Sequence, residues 1–213
     1  MFTDREDAGR RLVDALRSRL QGEDALILGV PRGGVVVAAE VSRILKLPLD
    51  IVIASKLGAP GQPEYAIGAV DADGDITVEP GMGLPEGYVQ QEAAVRSAEV
   101  RRRVALYHRG RAGVGVAGRT VVVVDDGIAT GLTIRKAVEY LRRHGAQNVI
   151  VAVPVASWNT ARQMRSEGID LVTVEEPSDF AAVGQYYREF DQTTDAEVLA
   201  LLDAAIDPGL SRP

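Results

Sequence analysis

Four consecutive valines, Val121 to Val124, run directly into Asp125-Asp126-Gly127-Ile128-Ala129-Thr130-Gly131-Leu132-Thr133. A β-branched run of this kind reads as a strand buried on both faces, as in a parallel sheet covered by helices. Two carboxylates then stand at the carboxyl end of that strand, which is where open α/β sheets bind ligands. The turn beyond them is small and rich in hydroxyls and leads into a helical pattern. Ala129 to Thr133 can therefore aim several backbone N–H groups and the Thr130 and Thr133 hydroxyls at one anion. Gly131, with no Cβ, permits close approach.

The rest of the chain repeats the same alternation of short apolar runs and helical periodicities, so the expected fold is α/β. We expect a doubly wound, mainly parallel sheet flanked by helices, with a small hood and a helical insertion. Thr3 and Glu6 read as a capping box opening a helix to about Leu20. Strand one is expected over Ala25–Val30, a buried helix from Val35 to about Lys46, and strand two over Asp50–Ser55. Lys56–Tyr65 has Gly and Pro without periodicity and reads as a mobile loop. Asp71-Ala72-Asp73-Gly74 reads as a hairpin turn, and a polar helix is expected from about Tyr88 to Arg109. Later elements are a helix over Leu132–His144, strands over Val149–Pro154 and Ile169–Val174, and a terminal helix capped by Thr194 and Glu197. The chain of 213 residues is expected to form one domain. Its core would span about 25–155, the insertion about 79–118 and the C-terminal hood and tail about 156–213.

Composition removes several classes of function. With no cysteine, disulfides, thiolate zinc sites, iron–sulfur clusters and thiol nucleophiles are excluded, and two histidines leave little for a histidine metal site. A net charge of −6 argues against nucleic acid or an acidic membrane as partner. The N-terminus is charged from Asp4 onward, unlike a secretory signal, and Val149–Ala156 is far shorter than the ~20 residues that span a bilayer. A cytoplasmic enzyme or small-ligand binder is expected.

The two acids would repel a phosphate that they faced. They suit vicinal hydroxyls beside it, so a 5-phosphorylated ribose satisfies both halves of the site. Pro31-Arg32-Gly33-Gly34, between strand one and its helix, forms a second anion cradle, and Arg32 adds a fixed charge with a fork suited to phosphate oxygens. Taken alone, that turn reads equally as a tight connection carrying a solvated arginine.

Val121 to Thr133 resembles the signature of the type I phosphoribosyltransferase family, with Gly127 departing at a usually aliphatic position. The resemblance covers roughly Ala25 to Val155. It implies that Ala129, Thr130, Gly131, Leu132 and Thr133 hold the 5-phosphate of phosphoribosyl pyrophosphate (PRPP), and that Asp125 and Asp126 bind the ribose 2- and 3-hydroxyls. It further implies that Pro31, Arg32, Gly33 and Gly34 take the pyrophosphate, with Asp125, Asp126 and Arg32 as the catalytic set. Lys56 matches a position that often contacts pyrophosphate in the family, and reads equally as a surface lysine. Gly58–Tyr65 resembles the loop that closes over the reaction, bringing in Glu64 or Tyr65. The implied activity is Mg²⁺-dependent transfer of the phosphoribosyl group to a nitrogenous, nucleobase-like acceptor with release of pyrophosphate. Mg²⁺ would be held by PRPP oxygens and waters, with Asp125 and Asp126 as possible contributors. A non-catalytic PRPP or nucleotide sensor on the same scaffold is the competing expectation. A homo-oligomer, most simply a dimer, is the expected assembly.

Other signals are weaker. Gly113-Val114-Gly115-Val116-Ala117-Gly118 fits a dinucleotide-binding spacing but precedes a strand instead of following one, so it reads as a connector. The arginines at 96, 101, 102, 103, 109 and 111 read as a solvated helix face paired with Glu92 and Glu99. Phe180, Tyr186, Tyr187 and Phe190 suit either an acceptor hood or core. Glu175 and Glu176 end a strand on the ligand side.

Overall fold

The computed structural model describes residues 1–206, so the last seven residues of the expected tail, 207–213, and the side chains of Glu64 and Ile206 lie outside the described residues. The chain forms two compact units. The first comprises Met1–Val52, Gly113–Gly131 and the chain from Leu141, and the second Ile53–Ala112 with Leu132–Tyr140.

The first unit is built on five parallel strands: β1 (Ala25–Gly29), β2 (Leu49–Ile51), and, after three strands of the second unit, β6 (Thr120–Val124), β7 (Asn148–Val155) and β8 (Asp170–Glu175). They lie in the order β2-β1-β6-β7-β8. All five residues of β1 and of β6 are buried, as runs without alternation require when helices flank a parallel sheet. β1 adjoins β2 on one side and β6 on the other, so the strand order reverses at the β1/β6 pair. Crevices open at such points. The register sets Gly29 opposite Val124, and the residues that follow each of them leave the sheet together.

Helix α1 (Arg5–Leu16) has its cap one residue later than expected and ends before the expected Leu20. Asp4 is its cap and accepts from Asp7 N at 2.7 Å, while the Asp7 side chain accepts from Thr3 N at 3.0 Å. A carboxylate displaces the Thr3 hydroxyl from the role because Asp4–Asp7 repeats the same spacing one position on. Helix α2 (Gly33–Leu45) buries Val35, Val37, Ala38 and Val41, as its apolar sequence demands. Helix α5 (Trp158–Ser166) joins β7 to β8. A 3₁₀ turn at Val183–Tyr186 precedes α6 (Asp195–Ile206), which opens on the expected reciprocal cap: Thr194 N donates to Glu197 Oε2 at 2.6 Å, and Glu197 N donates to Thr194 Oγ1 at 3.2 Å.

The second unit holds an antiparallel sheet, β3 (Ala54–Ala59), β4 (Gln62–Asp71) and β5 (Ile76–Val78), with helix α3 (Tyr88–His108) and most of α4 (Leu132–Arg143). Two expectations are corrected here. Strand two stops at Ile51, and Ala54 and Ser55 belong to the other sheet. The expected mobile loop is a hairpin in which Lys56 pairs with Ala69 and Ala59 with Gln62. Its periodicity is hidden by register shifts on both sides of Gly58. A Cβ on Gly58 would stand 2.7 Å from the backbone of Pro63, so glycine is what allows the strands to close there. Leu57, Ile67, Val70 and Ala93 form the small core beneath. The hairpin turn expected at Asp71–Gly74 is present: Asp71 accepts from Asp73 N and Asp75 N through Oδ1.

Candidate active site

Val30 N donates to Val124 O at 2.8 Å and carries the β1/β6 pairing one residue beyond β1. Pro31–Gly34 and Asp125–Asp126 then stand side by side in the first unit. The Pro31–Arg32 peptide is cis. Helix α2 begins at Gly33 with no side-chain cap. A Cβ on Gly34 would lie 2.7 Å from Asp125 Oδ1 and 2.8 Å from Val124 O, and a Cβ on Gly33 would collide with the Asp126 carboxylate. The paired glycines are therefore required by the acids as well as by any anion cradle. The two carboxylates rest at the positive end of the α2 dipole, which favours negative charge there.

The acids differ in surroundings. Asp125 accepts from the backbone N of Asp126 at 2.8 Å, and burial first, then the charge of Asp126, raise its pKa well above the carboxylate range. Burial also raises Asp126, but Arg5 opposes that rise: its Nε donates to Asp126 Oδ2 at 2.8 Å, with the two side chains only 12% and 16% exposed. The backbone O of Asp126 accepts from the Tyr187 hydroxyl at 2.6 Å, and burial raises that phenol. Arg32 is partly buried and has no ion pair among the described residues.

The loop after the acids is fixed from one side. Ile128 bridges to Ala156, Ser157 N donates to Ile128 O at 3.0 Å, and the Thr160 hydroxyl donates to Ala129 O at 2.6 Å. Ile128 N donates to Val155 O at 2.9 Å, and the Ser157 and Thr160 bonds use loop carbonyls. Gly131 has φ +76°, a left-handed conformation suited to glycine, and the next residue opens α4. Ala129 and Thr130 are exposed, Gly131 is buried, and Leu132 and Thr133 are partly buried.

The remaining sequence candidates divide cleanly. Lys56 is partly buried in β3 of the second unit and does not end strand two. Tyr65 lies in β4 and is exposed. Glu92 takes Arg96, and Glu99 takes Arg102 and Arg103, which hold the Glu99 carboxyl down at about 2. Arg96, Arg102 and Arg103 thus pair with Glu92 and Glu99 as expected. Tyr187 is core, packed on Phe2 and Phe190 with ring centroids 5.3 and 4.9 Å apart. Phe180 stacks on Tyr186, Glu176 is paired with Arg165, and Trp158 remains 44% exposed beneath the Arg162 guanidinium.

Arg5 is not among the sequence candidates. One signal points to it: a cation in the first turn of a helix opposes the dipole and needs a nearby anion. Thr160 and Val183 give no comparable signal, because their roles depend on contacts distant in sequence.

The family model of the phosphoribosyl transferase domain matches residues 2–191. The chain belongs to the phosphoribosyl transferase family. A Mycobacterium tuberculosis relative, provisionally named a phosphoribosyl transferase, is 42% identical over 209 residues, which is 96% of this chain and 47% of that protein. The chain thus spans about half the length of its curated Mycobacterium tuberculosis relatives. A Thermus thermophilus protein of known crystal structure is 41% identical, with a TM-score of 0.81 over 95% of this chain and 97% of that one. A transcriptional regulator of Methanosarcina barkeri is 40% identical over 76 residues, 30% of this chain and 38% of the regulator. Within the family, the parallel sheet flanked by helices is the expected scaffold. Among the described residues, no helix is long and apolar enough to cross a membrane.

Proposed function

We propose that this chain binds PRPP and transfers its phosphoribosyl group to a nitrogenous, nucleobase-like acceptor, releasing pyrophosphate. The observation that carries this reading is the adjacency of the acid pair Asp125–Asp126 and the Pro31–Gly34 turn where the strand order reverses. Asp125 and Asp126 would accept the ribose hydroxyls and hold C1 in line for attack. Ala129–Gly131 and the first residues of α4, Leu132 and Thr133, would present N–H groups to the 5-phosphate.

In the reaction the C1–O bond to pyrophosphate breaks as the acceptor nitrogen bonds to C1. Negative charge grows on the leaving group, so the main catalytic demand is electrostatic. Arg32, flanked by the Pro31, Gly33 and Gly34 backbone, would meet that charge. The donor set fits a magnesium ion carried by the substrate. Asp126 is already engaged by Arg5, and no cluster of three or more His, Asp or Glu able to hold a metal occurs among the described residues. Mg²⁺ would therefore be held by PRPP oxygens and waters, where it supplies charge neutralisation for pyrophosphate.

The test is pyrophosphate release from PRPP and Mg²⁺ across a panel of nucleobases and small amines. Asp125→Asn with Asp126→Asn should abolish release while circular dichroism stays that of the wild type; undiminished release in the double variant overturns the assignment. The similarity to a transcriptional regulator favours one second reading, a PRPP sensor without turnover. Calorimetric PRPP binding with no pyrophosphate from any acceptor would select it.

A further inference from the structure

Asp126 is gripped by the N-terminal arm and the 187–191 segment together. Phe2 N donates to Tyr186 O at 2.7 Å, Arg188 N to Phe2 O at 2.9 Å, and Glu189 N to Thr3 O at 2.9 Å. This short pairing brings Arg5 and the 187–191 segment to one place. The Arg5 guanidinium lies 4.0 Å from the centroid of the Phe190 ring, and its Nη1 donates to Asp191 O at 2.7 Å. Its Nε is left for Asp126 Oδ2 at 2.8 Å. Tyr187, between Phe2 and Phe190, donates to the Asp126 backbone from the same segment.

The geometry of the Arg5–Asp126 contact is selective. Arginine commonly meets a carboxylate through two parallel bonds that occupy both oxygens. Here a single Nε–H bond reaches one oxygen, because Phe190 and Asp191 hold the rest of the guanidinium turned away. A carboxylate fixed at one oxygen keeps acceptor capacity at the other while losing rotational freedom. That is the arrangement a hydroxyl-binding acid needs, and a pair serving only to neutralise buried charge would not require it.

We propose that Arg5 is a positioning residue, which orients Asp126 for the sugar hydroxyls through the clamp made by the N-terminal arm and Phe190–Asp191. The proposal rests on the PRPP reading above, and the experiment separates the two. Full-length wild type, Arg5→Met, Arg5→Lys and Phe190→Leu are titrated calorimetrically with PRPP, ribose 5-phosphate, 2,3-dideoxyribose 5-phosphate and inorganic pyrophosphate, with thermal melts alongside.

Wild type should prefer ribose 5-phosphate over the dideoxy analogue. Arg5→Met should lose about tenfold in ribose 5-phosphate affinity, the scale of one hydrogen bond to a charged group, and lose that preference. Its pyrophosphate affinity should be unchanged. Arg5→Lys should recover part of the loss, and Phe190→Leu, which keeps the charge but loosens it, should fall between wild type and Arg5→Met. Equal sugar preference in wild type and Arg5→Met overturns the proposal. So does a uniform loss for all ligands that Arg5→Lys does not relieve, since that marks a purely structural clamp. Wild type that binds no PRPP overturns the functional reading itself.

Discussion

Val183 occupies the space that a side chain on Gly127 would need: a Cβ at Gly127 would sit 2.6 Å from Val183 Cγ1 and 3.1 Å from Val155 Cγ1. Gly127 stands where the resemblance leads one to expect an aliphatic residue, and the side chain that fills its space lies 56 residues away in sequence, in the 3₁₀ turn. Gly127→Ala should cost about 1–3 kcal/mol by overpacking. Val183→Ala opens the space, so the double variant should recover much of that loss, with a coupling energy of about 0.5–3 kcal/mol in urea denaturation. Additive losses would show that the turn does not press on the loop.

The glycines at the start of α2 should behave unlike ordinary helix glycines. In most helices, replacing glycine by alanine stabilises by up to about 1 kcal/mol. Gly33→Ala forces a methyl group against the Asp126 carboxylate and the Arg5 Nε that binds it. We expect a lower melting temperature and a loss of PRPP affinity greater than the loss of pyrophosphate affinity. A stabilised Gly33→Ala protein with intact PRPP binding would contradict this.

Asp125 places function against stability. Burial raises its folded-state pKa above the unfolded value near 3.8, so the folded chain holds the proton more tightly than the unfolded one. The linkage sign follows: stability falls as pH rises from about 4 through the folded pKa, and the whole cost is present above it. Every tenfold difference in proton affinity between the two states corresponds to about 1.4 kcal/mol. Asp125→Asn removes the charge and keeps an oxygen to accept from Asp126 N. It should melt higher than wild type at pH 7.5, by several degrees, with the advantage shrinking toward pH 4, and it should not release pyrophosphate. A lower melting point at neutral pH would show that the α2 dipole and Arg5 outweigh desolvation.

What the sequence reveals and what it conceals follow a physical line. Val121–Val124 and Ala25–Gly29 are legible because burial on both faces leaves an apolar run that polar residues cannot interrupt. The acids and the Thr-Gly-x-Thr turn are legible because the chemistry is local to one stretch of chain. The β3–β4 hairpin is hidden because shifts around Gly58 break its two-residue period, and Pro60 and Gly61 read as loop when they form its turn. Arg5 is hidden because its partner lies 121 residues away, and the clamp requires Phe190 and Asp191 as well. Thr3 reads as the cap that belongs to Asp4, an error of one residue where two similar spacings overlap.

The second unit has its own buried charge, which can be probed independently of any ligand. Lys136 in α4 is 1% exposed and Asp71, at the end of β4, is fully buried. Lys136 Nζ lies 2.6 Å from Asp75 Oδ2, 3.1 Å from Glu139 Oε2 and 3.7 Å from Asp71 Oδ2, and it donates to Thr77 Oγ1 at 3.0 Å. Asp75 and Glu139 are about half exposed and can turn to water, whereas Asp71 cannot. Lys136→Met fits the space but leaves the Asp71 charge buried without this cation, which should cost about 3–5 kcal/mol. Adding Asp71→Asn removes the carboxylate charge and keeps an oxygen for the Asp73 and Asp75 N–H groups of the turn. The double variant should therefore be clearly more stable than Lys136→Met alone in urea denaturation. If Asp71→Asn only adds to the damage, Asp71 is held by the turn's hydrogen bonds and not by Lys136.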